Sequence, residues 1–240
     1  MVHGFLAAGN MNIECLGEIV DLGHCKQYNN LLNKFPKDQV FLEGETQISF
    51  LDGYVFNKVK LVTKGAGDWQ HTFAEAMRKD AGECLRTLRG GFCGYIYNKQ
   101  DSALVAYTDQ IAAKALYYYA DGERWIVSSH IPYMISVLKA AGVSYHFHET
   151  AAKYMLTYGY MLDDSTFVKE IHRLLPGQLV RIGNGGAKVE RYYLIPNKEV
   201  QMSEQEAVGR IDSAFREAVR REFDKDREYG RRHLVDLSGG

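Results

Sequence analysis

The sequence predicts an α+β fold, with antiparallel strands and helices in separate stretches of the chain. Six short segments are rich in β-branched and aromatic residues, which is typical of strands: residues 13–20, 39–51, 91–98, 102–108, 115–119 and 124–128. Short polar turns separate several of them, as at residues 98–101 and 120–123. Connections this short join antiparallel strands, because a parallel pair needs a long crossover.

Helical spacing of apolar residues appears in three places within the first 160 residues. One stripe covers residues 69–88, a second segment at 134–140 follows Pro132, and a third covers about 149–157. Proline suits the first turn of a helix, where its missing N–H costs nothing. Residues 178–182 and 187–193 then predict a hairpin across a glycine-rich turn.

Composition excludes several classes of function. The 240 residues carry a net charge of −1, which gives no electrostatic footprint for nucleic acid or an anionic membrane. No apolar stretch is long enough to cross a bilayer, and the first residues lack the basic start of a secretory signal. We therefore expect a cytoplasmic protein with neither nucleic acid nor membrane as a partner.

Cysteine and histidine placement predicts no metal site. The four cysteines have no C-x-x-C spacing, so we expect reduced and mostly buried thiols. His146 and His148 flank Phe147 and would share one face of a strand. No cluster of further ligands follows them, and surface histidines are the better interpretation.

The character of the chain changes near Pro196. Ser203 and Glu206 form a capping box, and an amphipathic helix is predicted from there to about Phe223. An apolar strand at 234–237 then leads into Ser238, Gly239 and Gly240. Glycines after a buried strand let backbone N–H groups approach a phosphate closely. We expect a domain boundary at about 195–202, with domains at 1–197 and 198–240.

The order of five motifs along residues 45–240 resembles the asparagine synthetase family. The matching segments are Leu-Asp-Gly-Tyr-Val-Phe-Asn at 51–57, Leu-Arg-Gly-Gly-Phe at 88–92, Asp-Gln-Ile-Ala-Ala-Lys-Ala-Leu-Tyr-Tyr at 109–118, Tyr-Gly-Tyr at 158–160 with Arg-Leu-Leu-Pro-Gly at 173–177, and Leu-Ser-Gly-Gly at 237–240. That family joins an N-terminal class II glutamine amidotransferase domain to a C-terminal synthetase domain.

The resemblance implies a specific architecture and set of partners. The first domain would be a four-layer αββα sandwich of the N-terminal-nucleophile (Ntn) hydrolase type, built from two antiparallel sheets. Residues 198–240 would supply the first helix and strand of an α/β synthetase domain, which would continue beyond them. The whole enzyme would use ATP and Mg²⁺, with Ser238, Gly239 and Gly240 in the pyrophosphate loop, while this fragment alone would hold neither tightly. Its partner would be its own synthetase domain, and a homodimer is possible.

The resemblance also identifies candidate site residues. Relatives begin with a cysteine whose thiolate attacks the glutamine amide, and His3 stands at that place. Asp52 and Gly53 occupy the oxyanion-site positions, where relatives have an asparagine that donates a hydrogen bond beside a glycine amide. Asn57 and Asp68 are candidates for substrate binding, although Asp68 would equally serve as a helix N-cap.

These departures from the family pattern predict a degenerate glutaminase site. His3 offers no thiol, an ionised Asp52 cannot donate, and residues 21–51 lack the arginines that would hold the glutamine carboxylate. Losing one oxyanion donor typically costs about 10²–10³ in rate. Two alternatives remain open. The domain could be a non-catalytic docking module, or it could be a hydrolase activated by cleavage before Cys15.

Overall fold

A computed structural model describes residues 3–32, 34–62, 67–122, 124–183 and 185–232. The chain divides into two compact units, one from Met1 to Leu194 and one from Ile195 to Gly240. In the described residues, no helix is both long enough and apolar enough to cross a membrane. The expected strand at 234–237 and the three residues after it lie outside the described residues.

The first unit is built on twelve strands. They are β1 (Gly4–Gly9), β2 (Ile19–Asp21), β3 (Lys26–Asn30), β4 (Val40–Glu43), β5 (Gln47–Val55), β6 (Gly90–Asn98), β7 (Leu104–Thr108), β8 (Tyr117–Asp121), β9 (Arg124–Ser128), β10 (His172–Arg173), β11 (Gln178–Gly183) and β12 (Gly186–Arg191). Sheet A has the order β10-β8-β9-β1-β3-β2, and sheet B has the order β12-β11-β7-β6-β5-β4. Every pairing between these strands is antiparallel.

Helices cover the outer faces of the two sheets. Those described in the first unit are α1 (Lys58–Val62), α2 (Trp69–Lys79), α3 (Ala81–Thr87), α4 (Ile131–Ala140) and α5 (Glu149–Tyr158). One core cluster lies between the sheets and contains Phe5, Phe50 and Tyr95. A second joins sheet B to α2 and α3, and a third joins sheet A to α4. These layers confirm the predicted α+β sandwich of two antiparallel sheets.

The structure corrects the N-terminal part of the prediction. Strand β1 was not expected, because its sequence Gly-Phe-Leu-Ala-Ala-Gly contains no β-branched residue, yet all six residues are buried in the middle of sheet A. Burial between two neighbours outweighs the weak local propensity. The single strand expected at 13–20 is instead a 3-10 turn at Glu14–Leu16 followed by β2. Strand β3 was also missed.

Two predicted elements are each divided in the structure. Residues 39–51 form β4 and the start of β5, which pair with each other as a hairpin. Residues 69–88 form α2 and α3, which meet at Asp80 in an extended conformation (φ −159°, ψ 101°). The Asp80 side chain accepts a hydrogen bond from the Glu83 N–H at 2.9 Å and so caps α3. Hydrophobic periodicity alone continues across such a break.

The second unit contains one described helix, α6 (Glu204–Glu228). Its N-cap is Ser203, whose hydroxyl accepts from the Glu206 N–H at 3.2 Å, as the capping box predicts. The helix extends five residues past the expected end at Phe223. Charged pairs at i,i+4 spacing, such as Arg210 with Glu206, continue along it.

Candidate active site

Asp52 lies near the C-terminal end of β5, which is paired between β6 and the edge strand β4 of sheet B. Its register partner on β6 is Cys93. Every second side chain of a strand points to the same face of its sheet. Ile48 and Phe50 belong to the core between the sheets, so the Asp52 side chain also faces the space between the two sheets. Only 6% of that side chain is exposed. The carboxylate therefore needs partners inside the protein.

Lys114 is the main partner of Asp52. Its ammonium group forms an ion pair with Asp52 Oδ2, and the Gln39 side-chain amide donates to Asp52 Oδ1 at 3.3 Å. The Lys114 side chain is 35% exposed, so the pair spans from the interior to solvent. Asp52 is thus a bonded acceptor at the position where the resemblance expects a hydrogen-bond donor.

The loop that carries Lys114 is held by a second carboxylate. Asp109 is fully buried, and its Oδ1 accepts from the N–H groups of Ile111 and Ala113 at 3.0 and 3.1 Å. Its Oδ2 accepts from the N–H groups of Phe92 and Lys114, each at 3.2 Å. Four donors converge on one carboxylate, which fixes the loop against β6 and directs Lys114 towards Asp52.

Gly53 has a backbone conformation that requires glycine. Its φ is +135°, and a Cβ atom built there would lie 2.1 Å from the Gly91 carbonyl oxygen and 2.7 Å from Phe92 Cα. Both neighbours are backbone atoms of β6 and cannot move aside. Any other residue at 53 would force β5 away from β6. The backbone conformation alone therefore explains why residue 53 is glycine.

Contacts between the sheets fix how β1 and β5 are aligned. Phe5 of β1 packs on Phe50 of β5, with ring centroids 4.6 Å apart. At the other end of β1, the last residue, Gly9, pairs with Trp125 of β9. The Trp125 ring packs on the Tyr97 ring, with centroids 5.8 Å apart. Tyr97 in turn pairs with Ile48, at the start of β5. The first residues of β1 and the last residues of β5 therefore lie towards the same end of the sandwich.

His3 lies two residues before Phe5, and Asp52 lies two residues after Phe50. Both residues are therefore on the side of the Phe5–Phe50 contact that faces this common end. His3 is exposed, and its carbonyl oxygen accepts a hydrogen bond from His130 Nε2 at 2.5 Å. The structure thus anchors the backbone of residue 3 at this end. Close approach of residues 2–4 to Gly53 remains a prediction, and Val2 lies outside the described residues.

Asn57 and Asp68 are both engaged in local structure. The Asn57 side chain donates to the Thr87 carbonyl and accepts from the Arg89 N–H, both at 2.9 Å, which ties the end of β5 to the start of β6. Asp68 is the N-cap of α2 and accepts from the His71 N–H at 3.0 Å. This hydrogen bond, with another from the His71 ring, lowers the pKa of Asp68. Asp68 occupies the N-cap role that the sequence allows.

None of the three buried cysteines is suited to act as a nucleophile. Cys93 faces Asp52, but burial raises the pKa of its thiol well above the usual range, and the Asp52 charge adds to this effect. Burial also raises the pKa of Cys25 and Cys84 to about 12. Cys15 is exposed, on the 3-10 turn that follows β1. A thiol that stays protonated is neither a nucleophile nor a good metal ligand.

No cluster of three or more potential metal ligands occurs within the described ranges of the chain. The two histidines that flank Phe147 have separate partners. His146 Nδ1 bonds to Glu170 at 2.7 Å, and His148 Nδ1 bonds to the Thr166 carbonyl at 3.1 Å. Ser238, Gly239 and Gly240, the expected pyrophosphate loop, lie outside the described residues.

The chain belongs to the glutamine amidotransferase domain family, whose model matches residues 58–193, more than half of the chain. The matched segment includes Asp68, Asp109 and Lys114. It begins after Asp52 and Gly53, which lie on β5. No curated protein sequence matches the chain.

Three solved structures are similar in fold. A glutamine phosphoribosylpyrophosphate amidotransferase from B. subtilis has 11% identity and a TM-score of 0.49, over 82% of this chain and 50% of that one. An allosteric regulatory enzyme of purine biosynthesis has 12% identity and a TM-score of 0.49, over 82% and 44%. A class-II glutamine aminotransferase domain protein from silicibacter pomeroyi has 12% identity and a TM-score of 0.40, over 78% and 90%. The chain spans about half the length of the first two.

Proposed function

We propose that this chain is the amidotransferase-type domain of an asparagine synthetase-like, ATP-dependent, amide-forming ligase, and that its own glutaminase site no longer hydrolyses glutamine. The observation that carries the second part is the Asp52–Lys114 ion pair. A glutaminase needs hydrogen-bond donors aimed at the developing oxyanion. Here a carboxylate takes that position, and the nearest cation is already bonded to it.

The missing nucleophile supports the same conclusion. His3, at the place of the family cysteine, can transfer a proton but has no thiol. A tetrahedral intermediate beside Asp52 would meet a carboxylate that donates no hydrogen bond, and Lys114 already bonds to that carboxylate. In the whole enzyme, ATP would activate a carboxylate and ammonia would attack it. Ser238, Gly239 and Gly240 would bind pyrophosphate and Mg²⁺-bound ATP there, in a cytoplasmic protein.

A non-catalytic docking role is the second candidate, and the buried site favours it. Asp52, Lys114 and Asp109 form a bonded network that stabilises the sandwich whether or not glutamine binds. A domain that serves only to bind a partner needs such a stable core but does not need its catalytic groups. In that case the partner would be the synthetase domain of the same enzyme.

Activation by cleavage before Cys15 fits the structure poorly. Such cleavage would remove β1, which lies in the middle of sheet A, and with it Phe5, Leu6 and Ala7, all of them fully buried. Loss of a central strand would expose the cores on both faces of sheet A. We therefore set this alternative aside.

A glutamine-analogue electrophile followed by mass spectrometry tests the proposal. We expect no adduct at any of the four cysteines, and an N-terminal mass that retains residues 3–14. An adduct at Cys15 on a chain that starts there would restore the processed hydrolase. An adduct at Cys93 would show that the site between the sheets admits glutamine and can ionise that thiol. Either result contradicts a degenerate site.

A further inference from the structure

Strand β12 (Gly186–Arg191) forms one edge of sheet B and is bonded to β11 alone. With six residues it is the longest edge strand of the two sheets, since β2, β4 and β10 have three, four and two residues. The Phe41 N–H of β4 donates to the Gln70 side chain at 3.4 Å. The Arg173 N–H of β10 donates to the Asp164 carbonyl at 2.9 Å. Among the described strands, β12 therefore offers the longest free edge.

The pairing register shows which backbone groups of β12 point away from β11. Gly183 and Gly186 close a two-residue turn, so they form a hydrogen-bonded pair. The N–H and C=O groups of Ala187, Val189 and Arg191 therefore point to the free side of β12. No described residue bonds these groups, and all three residues are exposed. Such a row of backbone donors and acceptors can pair with one more strand.

The charges of β12 are self-complementary about Val189. Lys188 and Glu190 lie on either side of it and carry opposite charges. If two β12 strands pair around a two-fold axis at Val189, Lys188 of each copy lies directly opposite Glu190 of the other. Opposite charges in directly opposed positions stabilise a pair of strands, whereas like charges destabilise it. A slip of two residues would place Lys188 opposite Lys188 or Glu190 opposite Glu190, so the charges favour a single register.

We propose that β12 pairs with β12 of a second copy of this chain, which joins the two six-stranded sheets B into one continuous antiparallel sheet. Val189 would exchange two backbone hydrogen bonds with Val189 of the other copy, and Ala187 would exchange two with Arg191. The space beside Ala187 is open, because this residue lines a cavity of about 650 Å³ whose other walls include β8. The Val189 side chain, now 40% exposed, would be covered by its counterpart. The proposal does not depend on glutamine chemistry.

Sedimentation velocity of the full chain, from micromolar to near-millimolar concentration, tests the pairing through its charges. Lys188→Glu would place two carboxylates opposite each other, and Glu190→Lys would place two ammonium groups opposite each other. Each variant should therefore dimerise about 10-fold more weakly than the unmodified chain. An equimolar mixture of the two variants again places an acid opposite each lysine, so it should dimerise as the unmodified chain does.

Recovery on mixing separates the pairing from a loss of folding. Glu190→Lys also removes a hydrogen bond within the chain, from Arg181 at 3.0 Å, but mixing could not restore that bond. Lys169→Glu changes an exposed lysine outside β12 and makes the same change in net charge as Lys188→Glu. This control should leave dimerisation unchanged.

Val189→Pro tests the backbone part of the proposal. The Val189 N–H points away from β11, so proline breaks no bond within the chain, and edge strands tolerate proline at such a position. We expect loss of the dimer, with the thermal midpoint of the dilute chain kept within a few degrees. Hydrogen exchange followed by NMR should also show the amides of Ala187, Val189 and Arg191 exchanging more slowly in the concentrated, unmodified chain than in the dilute one.

Two kinds of result would overturn the proposal. One is an unmodified chain that stays monomeric over the whole concentration range. The other is a dimer that forms equally well in Lys188→Glu, Glu190→Lys and Val189→Pro, or a mixture of the two charge variants that shows no recovery. Either form of the second result would place the contact between copies on another surface.

Discussion

The ammonium group of Lys114, on the loop between β7 and β8, is bonded to the carboxylate of Asp52 on β5, which lies 62 residues earlier in the chain. The loop carrying Lys114 is in turn held by Asp109, which bonds four backbone N–H groups. A charged pair therefore occupies the position where the family pattern expects a neutral donor. The proposed loss of glutaminase activity rests on this pair.

Removing either member of the pair should have unequal effects on stability. Lys114→Met leaves the buried Asp52 carboxylate without its cation, and we expect a loss of about 3–5 kcal/mol in the free energy of unfolding. Asp52→Asn leaves Lys114, which is partly exposed and can be hydrated, so we expect a loss of about 1–2 kcal/mol. Urea unfolding of both variants measures the difference. Equal losses would mean that the carboxylate is solvated in the native state.

Asp109→Asn should loosen the loop that follows β7. In the unmodified protein these backbone N–H groups bond to carboxylate oxygens. In the variant, the asparagine NH₂ group would face at least one of these N–H groups, and two donors cannot bond to each other. We expect a loss of at least about 3 kcal/mol, because hydrogen bonds to charged groups contribute about 1.5–3 kcal/mol each. Asp101→Asn, at an exposed turn where Oδ1 accepts one N–H at 3.0 Å, is the matched control and should cost less than half as much.

Alkaline pH should destabilise the fold. Burial raises the pKa of Cys25 and Cys84 to about 12 from a normal 9.0, so in the folded state both thiols stay protonated where the unfolded chain ionises. Their contribution is complete below pH 9 and is lost as pH rises from 9 towards 12. We expect the urea midpoint to fall between pH 8 and 10.5, and Cys84→Ala to reduce that fall. A midpoint independent of pH over this range would contradict the burial of these thiols.

Deletion of residues 200–240 should leave the first unit folded. The compact unit ends at Leu194, and its three core clusters contain no residue beyond Tyr193. We expect the shortened chain to keep its thermal midpoint within a few degrees and to associate less, because the apolar stripe of α6, which includes Ile211 and Phe215, is removed. Loss of most of the stability would place the C-terminal segment in the core of the first domain.

Much of the fold could be predicted from local patterns. Strands with β-branched and aromatic residues, such as β7 and β9, and the capped helix α6 follow directly from propensity and periodicity. Strand β1 could not be predicted in this way, because its glycines and alanines form a strand only when neighbours on both sides bury them. The break at Asp80 was missed because α2 and α3 continue one apolar stripe.

The contacts of the candidate site could not be predicted from the sequence, and its assignment as a glutaminase site stays a prediction. Asp52 and Gly53 were identified from the motif they resemble, and the positive φ of Gly53 explains why glycine is present. Lys114, Gln39 and Asp109 were not assigned roles, because their relation to Asp52 is a contact in space between distant segments. An Asp within an apolar strand does indicate that a cation or hydrogen-bond donor must lie near it. The sequence does not indicate which residue supplies that partner.

The most direct test of the central claim is ammonia release from glutamine by the purified chain, measured beside a heat-killed sample and an active class II glutamine amidotransferase. The degenerate-site account predicts release no greater than that of the heat-killed sample, for the unmodified chain and for Asp52→Asn alike, because the substitution restores a donor but no nucleophile. Robust hydrolysis by the unmodified chain would show that the Asp52–Lys114 pair is compatible with catalysis and would contradict the account.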